Sequence, residues 1–160
     1  MEKEVSMVES VDFAKYILLK ARERGINDVN LTKLQKLLYI CDGLLLAFGL
    51  NAIKENARAW NYGPVYPKVY KWFSKNQDCP LSEADIPEAA MKEITEGNYG
   101  GAVSAALDAF GDWNAMALSA WSHQPGSPWE TAVSGSRGKM NALISKDEMA
   151  RYFKEIAYEG

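Results

Sequence analysis

The fold is decided by the stretch LTKLQKLLYICDGLLLAFG, residues Leu31 to Gly49. Its apolar side chains recur every three to four residues, and additional leucines widen this stripe until nearly the whole circumference is apolar. A helix of this kind packs on all sides and belongs at the centre of a fold. We therefore predict a central apolar helix over residues 32–48, with Thr32 and Gln35 at capping-box spacing and Gly49 at its end.

Gly43 lies in the middle of this predicted helix. A glycine at such a position costs roughly 1 kcal/mol relative to alanine. The usual compensation is the close approach of another backbone, which we expect at Gly43.

Shorter amphipathic segments on both sides of the central helix predict further helices. The first is expected to run from Ser10, as its N-cap, to Gly25, and the last to begin after Ser145. Between them, helices are predicted to start near residues 64, 87, 101, 113 and 127, and residues 132–140 are predicted to form a loop. The expected fold is mostly α: a compact bundle of seven or eight short helices around helix 32–48, with at most a small β-hairpin near residues 53–60.

The most unusual stretch is AWNYGPVYPKVYKWF, residues Ala59 to Phe73, which is rich in aromatic residues and proline. We expect a helix to begin near Pro64, because proline suits the first helical turn and lacks the N–H that would be unpaired there. The rings could cap the core, or some could stay exposed as contact residues, since tyrosine and tryptophan offer much contact area at low entropic cost. The pattern leaves both interpretations open.

The composition is that of one globular domain spanning residues 1–160, of which residues 1–9 are expected to be flexible. The net charge of -3 does not favour a nucleic-acid partner, and no apolar run reaches the length of a membrane span. The charged N-terminus does not resemble a signal peptide. With no disulfide expected between the two cysteines, these features predict a cytoplasmic protein.

Residues for catalysis are few. The chain has one histidine, His123, and two cysteines that are 38 positions apart in the sequence, which is too little for a four-ligand zinc site. Cys41 falls in the apolar helix, where burial would make its thiol inert. We therefore expect no metal, no cofactor and no enzymatic activity, and interpret His123 first as a residue at a helix end.

Three motifs, occurring in order along the chain, carry a resemblance to a known family. They are KLQKLLY at Lys33–Tyr39, AWNYGPVYPKVY at Ala59–Tyr70 and LSAWSHQPGSPW at Leu118–Trp129. Together with a final helix that contains Tyr152-Phe153, they make the chain similar to the Panacea domain of SocA-like bacterial antitoxins, a family that also includes phage-associated proteins of the GepA type. The chain departs from the family at YICDGLLL, where Asp42 stands for glutamine and leucines replace an aromatic residue and a histidine.

The resemblance implies a non-enzymatic antitoxin that neutralises a protein toxin, encoded by an adjacent gene, by binding it directly. We expect the contact surface to comprise the turn 60–70, whose backbone Gly63 and Pro64 would set, and the loop 122–129. The expected partner-binding residues are Trp60, Tyr62, Gly63, Pro64, Tyr66, Tyr70, His123 and Trp129.

Alternative functions remain open at this stage. The protein could be an adaptor that delivers a bound client to a ClpXP-type protease, or a prophage-encoded regulatory protein. An enzyme that uses His123 and a DNA-binding autoregulator are further alternatives. The sequence leaves the toxin's identity and the oligomeric state open.

Overall fold

The computed structural model describes residues 7–76 and 80–159 of the chain. Within these residues the chain forms eight α-helices, a short 3-10 helix at Glu83–Asp85 and three short strands. The helices are α1 (Ser10–Glu23), α2 (Leu31–Ala47), α3 (Pro67–Asn76), α4 (Glu88–Glu96), α5 (Tyr99–Phe110), α6 (Ala115–Ser122), α7 (Pro128–Gly135) and α8 (Lys146–Glu159). The strands are β1 (Arg58–Trp60), β2 (Gly63–Val65) and β3 (Ala142–Leu143). The predicted mostly α fold is confirmed.

Helix α2 lies at the centre, as its all-round apolar pattern predicts. It packs against α1, α3, α5, α6 and α8. Each of its fully buried leucines contributes roughly 1.5–3 kcal/mol by leaving water. At Gly43, a Cβ atom would overlap the ring of Phe153 in α8. Close packing at Gly43 is thus confirmed, but an aromatic ring approaches there rather than the backbone that we expected.

The start of α2 differs from the prediction. Asn30, rather than Thr32, is its N-cap, and Asn30 Oδ1 accepts the backbone N–H of Lys33 at 2.9 Å. Asparagine caps helices at least as well as threonine, and the sequence offers both residues within three positions. Gln35 takes no part in a capping box, because its side chain reaches a distant segment of the chain instead.

The three strands form one antiparallel sheet in the order β2-β1-β3. A small hairpin was predicted near residues 53–60, but it lies at residues 58–65 and its second strand contains Pro64. The predicted helix start at Pro64 is therefore wrong, and α3 begins at Pro67. Proline is tolerated here because β2 is an edge strand, where a missing N–H breaks no ladder of hydrogen bonds on the outer side.

Two other boundaries are corrected. Ser10 lies inside α1 instead of capping it, with Glu9 in the cap position, and Ser10 Oγ donates to Glu55 Oε1 at 2.6 Å. The predicted loop 132–140 begins within a helix, since α7 continues to Gly135. This helix begins where it was predicted, with Ser127 as the cap whose side chain accepts from the N–H of Glu130.

The expectation of flexibility for residues 1–9 falls mostly on residues 1–6, which lie outside the described residues. Near the end of this segment, Val8 is buried and forms an isolated parallel bridge with Ile53. Its N–H donates to Ala52 O at 2.6 Å, and its carbonyl accepts from Lys54 N at 3.0 Å. In residues 7–76 and 80–159, none of the helices combines the length and apolar character that crossing a bilayer requires.

Candidate partner-binding site

The β1–β2 hairpin is held against α2 by two buried polar side chains. Gln35 forms a two-way clamp on the backbone of Tyr66: its amide donates to Tyr66 O at 3.1 Å, and its oxygen accepts from Tyr66 N at 2.8 Å. The ammonium group of Lys36 donates to Pro64 O at 3.0 Å. Both side chains are almost fully enclosed. Because an unpaired buried backbone group costs about 1–3 kcal/mol, these bonds fix the position of the hairpin on the helix.

Two more side chains hold the other side of the hairpin. Ser119 Oγ in α6 donates to Tyr62 O at 2.6 Å, and Trp129 Nε1 in α7 donates to Trp60 O at 2.7 Å. Four side chains from three helices thus bind four backbone carbonyls in residues 60–66. The turn is therefore rigid through its backbone, which leaves the side chains at its tip available for other contacts.

Gly63 is required by this packing. Its φ angle of 113° is one that other residues rarely adopt. An added Cβ would also overlap Ser122 Oγ and would lie 2.9 Å from Cε of Lys36. Gly63 and Pro64 are both buried, so they shape the turn, as expected, and present little surface of their own.

Tyr66 is a core residue, which corrects its expected role as a supplier of contact area. It is fully buried, and its hydroxyl donates to Asp42 Oδ2 at 2.7 Å. Burial raises the pKa of the Asp42 carboxyl to about 6, against the lowering effects of the Tyr66 hydrogen bond and of Lys146. Among the described residues, the second carboxyl oxygen of Asp42 has no hydrogen-bond partner. Asp42, which departs from the family pattern, therefore has a buried position beneath the hairpin.

The outer side of the hairpin exposes aromatic rings. Tyr62, at the tip, is 74% exposed, and Tyr70 on α3 is 44% exposed. The partly buried ring of Trp60 packs edge-on against Tyr70, with their centroids 5.2 Å apart. Trp60 Nε1 donates to Asn141 Oδ1 at 3.1 Å, which ties this ring to the segment that enters β3. The rings of Ala59–Phe73 therefore divide between core and surface.

Tyr62 stands between two shallow grooves. One, of about 420 Å³, lies towards α6, and the other, of about 600 Å³, lies towards α3 and β3. Both grooves expose mainly apolar atoms. We call the exposed and half-exposed apolar side chains of this region the aromatic patch; its members are Trp60, Tyr62, Tyr70, Met116 and Met140.

The two methionines of the aromatic patch were missed in the sequence. Met116 is 83% exposed and Met140 is 41% exposed. A signal for Met116 was present, because Leu118 and Trp121 share one side of α6 and Met116 lies off that side. No local pattern marks Met140, which precedes the two-residue strand β3.

His123 and Trp129 lie beside the aromatic patch. His123 follows the last residue of α6 and lines the groove with Tyr62 and Met116, and its ring centroid is 5.3 Å from that of Trp129. Among the described residues, Nδ1 of His123 is buried and has no hydrogen-bond partner. Trp129 is half-buried and its indole N–H is already bonded to the hairpin. Trp129 therefore supports the hairpin at Trp60, and His123 packs beside Trp129.

Burial also shifts the pKa values of two further side chains of α2. Burial lowers the pKa of the Lys36 ammonium to about 8, and burial raises the pKa of the Cys41 thiol well above its ordinary value, so Cys41 remains in the poorly nucleophilic thiol form. In residues 7–76 and 80–159, no three His, Cys, Asp or Glu side chains converge as they would around a metal ion. The surface of this region is mainly apolar.

The sequence matches the family described as "Antitoxin SocA-like, Panacea domain" over residues 34–130. This range runs from α2 into α7 and includes the hairpin with the four side chains that hold it. The chain is also similar to Antitoxin SocA of Caulobacter vibrioides (strain NA1000 / CB15N), with 32% identity over 142 residues that cover 79% of this chain and 73% of that protein. No solved structure matches the chain significantly.

Proposed function

This chain belongs to the family of SocA-like antitoxins with a Panacea domain, and we propose that it neutralises a cognate protein toxin by binding it directly. The proposed encounter takes place in the cytoplasm, with a toxin encoded by the adjacent gene. The antitoxin itself makes or breaks no covalent bond and acts by covering a surface that the toxin needs.

The observation that carries this proposal is the exposure of Tyr62 on a turn whose backbone is fixed. The hydroxyl of Ser119 anchors the carbonyl of Tyr62 itself, while the ring is 74% exposed. Because the backbone beneath the ring is already fixed, a partner has to order only the side-chain torsions of Tyr62, so more of the contact energy appears as affinity. Tyrosine is among the residues that most often dominate binding energy at interfaces.

For this proposal we assign the predicted site residues to two groups. The contact group is the aromatic patch, which retains Trp60, Tyr62 and Tyr70 from the sequence prediction. The supporting group forms the turn or packs beside it and comprises Gly63, Pro64, Tyr66, His123 and Trp129.

Co-expression with the product of the adjacent gene tests this function. The wild-type chain should restore growth, Tyr62→Ala should fail to restore it, and Phe48→Ala should behave as the wild type. Phe48 is the matched control, because its ring is 77% exposed and it follows the opposite end of α2 from the residues that clamp the hairpin. Rescue by Tyr62→Ala at equal soluble level would count against the proposed surface.

The same experiment separates occlusion from delivery to a protease. If the toxin is neutralised by occlusion, an immunoblot should show an undiminished toxin level in the rescued cells. A toxin that disappears when the wild-type chain is present, and returns in cells without a ClpXP-type protease, would show that the chain acts as an adaptor.

A further inference from the structure

Helix α3, which carries Tyr70 of the aromatic patch, has an exposed face of one charge sign. Lys68, Lys71 and Lys75 all lie on this face, and Pro67–Asn76 contains no acidic residue. Their spacings of three and four residues place the three ammonium groups side by side along the helix. We call them the lysine stripe.

The lysine stripe is continuous with the aromatic patch. A groove of about 440 Å³ on α3 is lined by Tyr70 together with all three lysines. Tyr70 also lines the groove that contains Trp60 and Tyr62. A partner that covers Tyr62 and Tyr70 would therefore meet the lysines at the edge of the same contact.

Among the described residues, carboxylates contact only the Lys68 end of the stripe, where Glu55 Oε2 accepts from Lys68 N at 3.0 Å. Lys68 has one long ion pair, 3.8 Å from Glu9 Oε2, and within residues 7–76 and 80–159 neither Lys71 nor Lys75 has a carboxylate within 4.0 Å. Like charges at these spacings oppose helix formation. The exposed face of α8 shows the ordinary arrangement, where Arg151 pairs with Glu148 at 2.8 Å and with Glu155 at 3.0 Å.

The positive face also runs against the charge of the whole chain, which is -3. The segment 83–96, which includes α4, holds five carboxylates and one lysine, so much of the negative charge lies outside α3. A local excess of positive charge such as that on α3 can orient an acidic partner before contact.

We propose that the lysine stripe of α3 forms a basic rim of the toxin-binding surface and receives an acidic patch on the toxin. This inference rests on the proposed function and adds the chemistry of the partner's docking face. A protein is favoured over nucleic acid because the stripe adjoins exposed tyrosine and methionine side chains in a chain of net negative charge. A rim of this kind chiefly accelerates association and selects the partner, while the rings provide most of the affinity.

The test compares binding of the purified toxin by the wild-type chain and by two double variants, at low and high salt. Lys71→Glu with Lys75→Glu should weaken binding about tenfold at ~50 mM salt and by less than about threefold at ~500 mM salt, because ions screen exposed charges. Lys92→Glu with Lys154→Glu has the same change in net charge at exposed positions elsewhere and should bind as the wild type does. Lys71→Gln with Lys75→Gln, which removes charge without reversing it, should weaken binding by a smaller factor at low salt.

Three other outcomes would show that the lysine stripe does not receive an acidic patch on the toxin. If the wild type binds in a Tyr62-dependent way but both glutamate pairs bind equally well, the acidic docking face is wrong and the proposed function stands. If the wild type does not bind the toxin, the proposed function fails and this inference fails with it. If the stripe variants lose affinity for a duplex DNA probe but keep their affinity for the toxin, the lysines serve nucleic acid and the inference is wrong.

Discussion

Replacing Gly63 by alanine tests whether the hairpin is fixed in the way that its contacts indicate. The substitution adds one methyl group at a buried position where φ is 113°. That methyl would overlap Ser122 Oγ and would lie 2.9 Å from Cε of Lys36. Neither neighbour is free to move, since Ser122 Oγ donates to Ser119 O at 2.8 Å and Lys36 holds Pro64 O.

Two physical terms set the expected loss of stability. An unfavourable backbone region costs about 1–3 kcal/mol for a residue with a Cβ atom. Overpacking by one methylene in a close-packed site adds about 1–3 kcal/mol. We therefore expect Gly63→Ala to lower the free energy of unfolding by about 2–6 kcal/mol, which is a large fraction of the stability of a domain of this size.

Gly126→Ala is the matched control, because Gly126 also has a positive φ of 85° but an added Cβ would meet no atom within 4 Å. It isolates the backbone term, which should be about 1–2 kcal/mol. Urea unfolding of the wild type and both variants, followed by circular dichroism, measures the difference. If Gly63→Ala loses no more stability than Gly126→Ala, Gly63 is not packed closely against Ser122 and Lys36 as described.

Two further predictions concern the buried polar groups beneath the hairpin. Burial raises the pKa of Asp42 from 3.8 to about 6, so the folded chain binds the Asp42 proton more tightly than the unfolded chain does. The free energy of unfolding should therefore increase as the pH falls from above 6 towards 4, by up to about 3 kcal/mol from this group. Asp42→Asn should abolish this increase and should be more stable than the wild type at about pH 7.5, whereas an unchanged pH profile of urea unfolding would contradict the assignment to Asp42. Gln35→Met should cost about 2–4 kcal/mol, because the N–H and C=O of Tyr66 lose their partner, while Gln124→Met at an exposed position should change stability by less than about 0.5 kcal/mol. Equal unfolding midpoints for the two methionine variants would show that the clamp does not stabilise the fold.

The helical part of the fold follows from the sequence because its signals are local. The apolar period of residues 32–48 predicts a central helix, and the caps at Ser127 and Ser145 predict helix starts that the structure contains. Pro64 shows the limit of such reasoning, since proline fits either a first helical turn or an edge strand. Its carbonyl is held by Lys36, 28 positions away in the sequence, and a local pattern contains no sign of that bond.

The candidate site was predictable in outline but not ring by ring. The segment Ala59–Phe73 was identified from its aromatic residues, yet Tyr62 is at the surface and Tyr66 is in the core. The difference arises because Gln35 and Asp42 bind the backbone and hydroxyl of Tyr66, and both contacts are long-range. In the helix pattern, Gln35 was assigned to a capping box and Lys36 was assigned no role, although both are buried and hold the turn.

The central claim is that the exposed rings on the fixed hairpin bind the toxin, and isothermal titration calorimetry of the purified proteins tests it most directly. Tyr62→Ala should weaken binding at least ~30-fold, which corresponds to the loss of about 2 kcal/mol expected for a dominant contact residue. Phe48→Ala, with a similarly exposed ring beyond the C-terminal end of α2, should bind within about twofold of the wild type. A Tyr62→Ala protein that is folded and binds the toxin as tightly as the wild type would contradict the claim.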